Sequence, residues 1–409
     1  MRIIYLIYEG INSSVLDSQV LSLINFLSSN DVQVQLLSFE PLNRKGGFNQ
    51  RLEYINNHLC NKVTILRRPP FLGFGSLIIP IRRLASAILR LRGKDIIIIH
   101  CRGIIPAYIA LKTKQLLTEP NIKVIADIRG IPEELLLFNP LYIKFLNMLR
   151  YQLMKKIEKE VYMCADWLCC VSDTLAEYIR SITQRKSSQM TIIPTAVNTH
   201  LFRFSREART KLRKKLGLER SLVLTYAGSM APWQVPEKIV EVFIEIKKIY
   251  PRTALLVLTK DTYTFKKVLK RYPQHDENII QVSPEYYEVS DYLSAGDIGL
   301  LLRKDILVNR VAFPTKYGEY LSNGLFVVTT PGVKAVAAHI TANPNYGHVL
   351  QYFPDLNINE LNKLVGRLFR DKLLDEKVRS ERSSTASNWL DIKNQFNKYY
   401  DIYCAINKS

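Results

Sequence analysis

Short apolar runs alternate with helical stretches along almost the entire chain, and this rhythm restricts the fold more than any other feature. In the first half the runs cover residues 2–8, 32–39, 63–66, 96–101, 124–128, 167–172 and 191–194. In the second half they cover 222–227, 254–259, 279–282, 298–302 and 326–330. Most are continuously apolar rather than alternating, which marks strands covered on both faces, the condition of a parallel sheet between helices. Strand–helix order repeated this often predicts right-handed crossovers and an α/β fold. The rhythm occurs twice, so the expected fold class is α/β with two doubly wound, Rossmann-like domains facing a cleft. The boundary is expected after Pro194, because residues 195–220 are polar and basic and carry no strand signal before Leu222. Domains of 1–195 and 196–385 follow. A last helix, 386–406, sets Trp389, Ile392, Phe396, Tyr399 and Tyr403 on one stripe. The stripe needs a surface to cover and by itself lets the helix pack on either domain.

Composition narrows the function classes. With 47% apolar and 23% charged residues over 409 positions, the chain is neither disordered nor a disulfide miniprotein. The longest candidate membrane span, 71–81, is interrupted by Pro80 and ended by Arg82 and Arg83. That is well short of the roughly 20 apolar residues a span needs. The first apolar run stops at Glu9-Gly10 with nothing like a cleavage site after it, so a cytoplasmic location is expected. Six cysteines, Cys60, Cys101, Cys164, Cys169, Cys170 and Cys404, show no paired or zinc-like spacing and are expected to be buried, inert thiols. The charge is more informative. Lys and Arg total 57 against 37 acids, a formal net charge of +20, which favours phosphorylated ligands, anionic lipid or nucleic acid. Between Arg67 and Arg102 the cations Arg67, Arg68, Arg82, Arg83, Arg90, Arg92, Lys94 and Arg102 face one acid, Asp95. Leu77, Ile78, Ile81, Leu84, Ile88 and Leu91 interleave at helical spacing. This reads either as an ordinary amphipathic core helix or as a helix lying on an anionic membrane surface. No nucleic-acid motif accompanies the charge, and no nucleic acid is expected as a partner.

Open α/β sheets bind ligands beyond the carboxyl ends of their strands, so the residues just after each run carry the functional reading. Gly10 follows the first run and suits a turn before a helix. His100 closes the fourth and reads either as a substrate-facing imidazole or as a satisfied core histidine. Asp127, Arg129 and Glu133 cluster after the fifth, as a site or as a salt bridge. In the second half Gly228 would let backbone amides approach a phosphate, and Arg303 with Lys304 follows the run at 298–302. Residues 309–330 then combine Pro314 at a helix start, Lys316, Glu319 one turn later and Gly324 as a stop. Cations beside a carboxylate that can grip two ribose hydroxyls describe a nucleoside diphosphate site. Val282, Ser283 and Tyr286 sit where a base could rest.

Taken together, these residues look like a known family. The tandem halves, the Tyr226-Ala227-Gly228-Ser229 loop with Trp233-Gln234, the run from Asn309 through Pro314-Thr315-Lys316, Glu319-Tyr320-Leu321 and Gly324, and Val-Ser-Asp-x-Leu-x-x-Tyr-Ile at 171–179 resemble the GT-B glycosyltransferases. The nearest branch is family 4, the retaining, metal-independent type of bacterial surface polysaccharide assembly. The resemblance implies a donor-ribose grip for Glu319. It places the donor diphosphate on Gly228, Ser229, Arg303, Thr315 and Lys316, with Gly10 beside the phosphate from the first domain. It makes His100, Asp127 and Glu319 the catalytic set. Arg102, Arg129, Glu133 and Trp233 fall on the acceptor side, and the helix in 386–409 would return to the first domain. Two departures stand out: the first of the family's two glutamates falls at Val311, and the loop after Gly228 lacks its usual Arg and Lys.

The resemblance further implies a nucleotide diphosphate sugar as donor, a UDP-sugar first, with no cofactor and no metal. The acceptor would be a lipid-linked or other saccharide, and the protein would sit peripherally on the inner face of the cell membrane. A GT-B-shaped nucleotide-sugar epimerase and a non-enzymatic basic binding module for nucleic acid or anionic lipid are the alternative readings.

Overall fold

The computed structural model describes every residue except 1, 14, 43–46, 60, 72, 91–95, 138–143, 352–355 and 409. The chain divides into two compact units, Met1–Ala196 with Ile392–Ser409, and Val197–Asp391. The first unit holds seven strands: β1 (Arg2–Ile7), β2 (Val34–Pro41), β3 (Thr64–Arg68), β4 (Ile97–Arg102), β5 (Ile122–Ile128), β6 (Trp167–Cys170) and β7 (Met190–Ile192). The second holds six: β8 (Leu222–Ala227), β9 (Thr253–Leu258), β10 (Ile279–Val282), β11 (Ile298–Leu301), β12 (Phe326–Thr329) and β13 (Gly347–Val349). Strand order is β3-β2-β1-β4-β5-β6-β7 in one sheet and β10-β9-β8-β11-β12-β13 in the other, with parallel pairing throughout. Both are doubly wound. The order reverses between β1 and β4 in the first unit and between β8 and β11 in the second, and these are the points where such sheets open a crevice.

The apolar runs become the central strands because burial on both faces rewards every residue, at about 1.5–3 kcal/mol for each fully buried Leu, Ile or Val. Every residue of β4, β8 and β9 is buried. β13 has no counterpart in the sequence reading: its three residues, Gly-His-Val, form no apolar run, and pairing with β12 defines it. The terminal stripe also differs. One helix spans Glu376–Leu390 and another Ile392–Lys408, so the expected single helix is broken at Asp391. There the backbone is extended and bridges to Val197, and Thr199 Oγ1 donates to the Asp391 carboxylate. The second of these helices buries Phe396, Tyr399, Ile402, Tyr403 and Ile406 in the first unit's core.

The basic stretch forms a helix at Ile78–Arg90, with Leu84 and Ile88 buried. Leu91, Arg92, Lys94 and Asp95 lie outside the described residues, as does Cys60. Cys101, Cys169 and Cys170 are buried, but Cys164 is exposed at a helix end and Cys404 half-buried, which corrects the expectation of uniformly buried thiols.

Candidate functional site

In the second unit the residues singled out after the strands converge at the β8–β11 reversal. Gly228 follows β8 with φ +136°. A β-carbon there would overlap the Lys316 side chain, which fills the space glycine leaves. Lys316 stands in the first turn of the helix Thr315–Ser322, behind Pro314. Its Nζ donates to Tyr226 Oη at 3.0 Å and to Gln234 Oε1, and lies 4.2 Å from the Tyr226 ring centroid. Gln234 Nε2 donates in turn to Ser229 Oγ at 2.6 Å, and Tyr226 Oη to Gln234 Oε1 at 2.7 Å. Ser229, Gln234, Tyr226 and Lys316 thus form one network under the Gly228 turn.

The helix carrying Lys316 is fixed at both ends. Gly324 ends it at φ +69°, where a β-carbon would lie 2.5 Å from the Arg379 carbonyl oxygen. Tyr320 Oη accepts the Ala227 amide at 2.8 Å, tying the helix to the end of β8. Glu319 sits one turn after Lys316. Its side chain keeps some solvent contact, yet desolvation by its surroundings pushes the carboxyl up to about 7, against the pull of Lys316. Desolvation, helped by the Arg303 charge, holds the Lys316 ammonium well below the usual lysine range, and Glu319 opposes it.

Arg303 follows β11. Its Nη1 donates to Asn309 Oδ1 at 3.0 Å, while Asn309 Nδ2 donates to the carbonyls of Lys304 at 2.9 Å and Trp233 at 3.3 Å. Asn309 is fully buried, and its amide joins the Arg303 loop to the Trp233 turn. Val311 is buried as well, so the position of the missing glutamate points into the core. Val282, Ser283 and Tyr286 lie at and beyond the end of β10, two strands from β8. Tyr286 meets the buried Phe202 ring edge-on at 5.5 Å.

The first unit disposes its candidates differently. His100 lies within β4, fully buried, 4.5 Å from Tyr5 and 5.0 Å from Tyr399 between ring centroids. Its Nδ1 is 2.6 Å from Tyr403 Oη and its Nε2 3.5 Å from Asp127 Oδ2. Burial lowers its pKa, and Asp127 pulls the other way. Asp127 is buried too. Burial raises its pKa, but the Arg129 guanidinium first, and His100 with it, outweigh that and hold the carboxyl well below the usual range. Arg129 donates to Asp127 Oδ2 through Nε at 3.0 Å and Nη2 at 2.8 Å, and Tyr399 Oη donates to the same oxygen at 3.2 Å. The expectation that His100 and Asp127 meet a substrate therefore differs from their placement. The strand runs on through Cys101 and Arg102, and the terminal helix covers this face of it, so both side chains are sealed between sheet and helix.

Glu133 is held by Lys155 Nζ at 3.1 Å and by the hydroxyls of Tyr178 at 3.3 Å and Tyr151 at 3.4 Å, next to the buried Glu158. Gly10 turns at φ +85° against Glu40, whose Oε1 accepts the Ile11 amide at 2.8 Å. A carboxylate of the chain itself already occupies that amide. Arg102 ends β4, with Nη2 donating to Gln19 Oε1 at 2.8 Å.

Comparison with known proteins agrees with this architecture. Residues 17–201 match the family model described as Glycosyltransferase Family 4. A search of curated protein sequences finds no match. Among solved structures, a glycosyltransferase from Rickettsia africae superposes with a TM-score of 0.73 at 14% identity, covering 100% of this chain and 99% of that one. Anabaena HepE in complex with UDP gives 0.71 at 12% identity over 99% and 100%. WaaG, a glycosyltransferase involved in lipopolysaccharide biosynthesis, gives 0.65 at 14% identity over 98% and 99%. The chain has the GT-B fold of these glycosyltransferase structures.

Two participants in this GT-B chain escape a reading of residues after strands. Tyr226 lies inside β8, where an apolar run hides a hydroxyl that reaches Lys316. Asn309 opens the motif run, but nothing in its spacing shows that both ends of its amide are used.

Proposed function

We propose that this protein transfers a sugar from a nucleoside diphosphate sugar, a UDP-sugar first, to a saccharide acceptor, with the second unit as donor domain and the first as acceptor domain. The observation that carries the reading is the convergence of Gly228, Arg303, Lys316 and Glu319 at the β8–β11 reversal. UDP in Anabaena HepE supports the choice of nucleotide.

Glycosyl transfer needs its leaving group stabilised. The diphosphate gains negative charge as its bond to the anomeric carbon breaks, and fixed donors aimed there lower the barrier, typically by about 3–4 kcal/mol each. Lys316 and Arg303 supply charge, the first turn of Thr315–Ser322 and the Ser229 loop supply amides and a hydroxyl, and Glu319 grips the ribose. With these cations at the diphosphate, no divalent ion is needed there. Attack comes from the face the leaving group vacates, giving retention. The acceptor oxygen bonds to the anomeric carbon while its proton passes to a phosphate oxygen. Arg129, Glu133 and Trp233 are assigned to the acceptor side. His100 and Asp127 act as positioning residues through the terminal helix.

The acceptor is a lipid-linked saccharide of surface polysaccharide or glycolipid assembly, met at the inner face of the membrane. No helix among the described residues is long and apolar enough to cross a membrane. Ile78, Ile79 and Leu89 are exposed on the helix Ile78–Arg90, together with Arg82 and Arg90, and Phe74 is exposed just before it. That surface suits peripheral attachment to anionic lipid.

Calorimetric titration with UDP tests the donor reading. Glu319→Ala and Lys316→Ala should each weaken UDP by about 10- to 100-fold, the worth of one charge-assisted hydrogen bond or two. Unchanged affinity in both variants refutes the site.

A further inference from the structure

A buried arginine without a counter-charge among the described residues stands at the other strand reversal, between β1 and β4. Arg102 is only 6% exposed. Its guanidinium carries five N–H donors, and its one side-chain hydrogen bond uses Nη2, on Gln19. Nε and Nη1 are buried with no hydrogen-bond partner among the described residues. The acids nearby are engaged elsewhere. Asp127, its registered neighbour on β5, is taken by Arg129, and Glu40, at the end of β2, by the Ile11 amide and Ser38 Oγ. A buried cation left without a counter-charge is costly, and a bound ion is one of the things that can complete such a group.

Gly103 follows Arg102 with φ +91°, and a β-carbon there would meet nothing within 4 Å, so space is open beside the backbone. Gly103 also precedes the helix Ile104–Leu117, whose start has no side-chain cap. An uncapped helix start attracts anions. The fork geometry is definite as well. Whichever Nη2 hydrogen Gln19 takes, one complete two-donor edge of the guanidinium remains, and such an edge matches two oxygens of one anion.

We propose that Arg102 and the start of helix Ile104–Leu117 form an oxyanion site, which takes a phosphate or carboxylate group of the second substrate. The assignment to a substrate rests on the transferase reading above. The anion site itself rests only on Arg102 and Gly103. The acceptor is then an anionic molecule rather than a neutral sugar.

The test uses the full chain in a Lys316→Ala background, so that the second unit contributes little. Inorganic phosphate and acetate are titrated separately by calorimetry, and the tighter of the two identifies the oxyanion. Adding Arg102→Met should weaken uptake at least tenfold, and Arg102→Lys several-fold, because an ammonium offers no fork. In anion-free buffer Arg102→Met should melt no lower than its parent, since it removes an uncompensated charge. Equal uptake in Arg102→Met, no saturable uptake of either anion by the parent, or a clearly lower melting temperature of Arg102→Met in anion-free buffer would each overturn the proposal. UDP titration of the wild-type chain is read independently. Failure there removes the donor reading and leaves the Arg102 result standing.

Discussion

Glu319 and Lys316 sit one helical turn apart, each displaced from its ordinary titration range, and their displacement gives a direction to nucleotide binding. The ionised carboxylate accepts from two hydroxyls with both oxygens, whereas the neutral acid turns one of those oxygens into a donor. With its carboxyl pushed up to about 7, Glu319 gains a proton as the pH falls through neutrality. UDP affinity should therefore weaken below about pH 7 and recover above it. Glu319→Gln should bind more weakly at pH 8 and lose that acid limb. Calorimetry at four or five pH values checks it, and an acid limb that persists in Glu319→Gln assigns the titration to another group. The residues of this site were legible in the sequence because a parallel sheet binds at its strand ends, and Gly228, Arg303 and Lys316 follow strand-like or helix-starting patterns. Tyr226 and Asn309 were not legible, because their work depends on which groups tertiary packing brings to a buried hydroxyl and a buried amide.

At the scale of elements, the terminal helix Ile392–Lys408 is held by more than apolar packing. Tyr399 and Tyr403 place their hydroxyls on Asp127 and His100, so the helix and the strands β4 and β5 share one buried polar seam. Removing one hydroxyl, as in Tyr403→Phe, should cost about 1–3 kcal/mol, because the His100 nitrogen loses its partner. Asp127→Asn should cost more, about 3–5 kcal/mol, because Arg129 is left without its counter-charge. The sign with pH follows. Asp127 is held below its unfolded value of about 3.9, so its contribution is complete above that value and fades as the pH falls toward the lower folded one. Urea unfolding at pH 7 and pH 3 should show the gap between wild type and Asp127→Asn narrowing in acid. A constant gap contradicts the ionised seam. The sequence showed the stripe but not its interruption. Trp389, Ile392 and Phe396 keep helical spacing straight through Asp391, and the bridge to Val197 and the bond from Thr199 mark the break there. The same limit hid the setting of His100: an apolar run shows a strand but not which element will cover it.

For the whole molecule, the excess of cations matters most where it coincides with exposed apolar side chains. Most of the +20 charge is spread over both halves and serves solubility and long-range attraction to anions. Around the helix Ile78–Arg90 it is concentrated: Arg82 and Arg90 flank the exposed Ile78, Ile79 and Leu89, and Phe74 is exposed in the preceding turn. Leu84 and Ile88 anchor the opposite face in the core, so the core-helix reading describes one face and the membrane proposal rests on the other. Two contributions should then separate in a flotation assay. Arginines near an anionic surface add about 1 kcal/mol each, so Arg82→Glu with Arg90→Glu should lower binding to vesicles containing phosphatidylglycerol by roughly thirtyfold or more. The same pair should leave the weak binding to neutral phosphatidylcholine vesicles unchanged. Ile78→Ser with Ile79→Ser should lower binding to both kinds of vesicle, because buried apolar area contributes whatever the lipid charge. These side chains are exposed, so the folded state should keep its melting temperature in all four substitutions. Equal flotation of wild type and the Arg82→Glu, Arg90→Glu pair on anionic vesicles would remove this helix as the membrane contact.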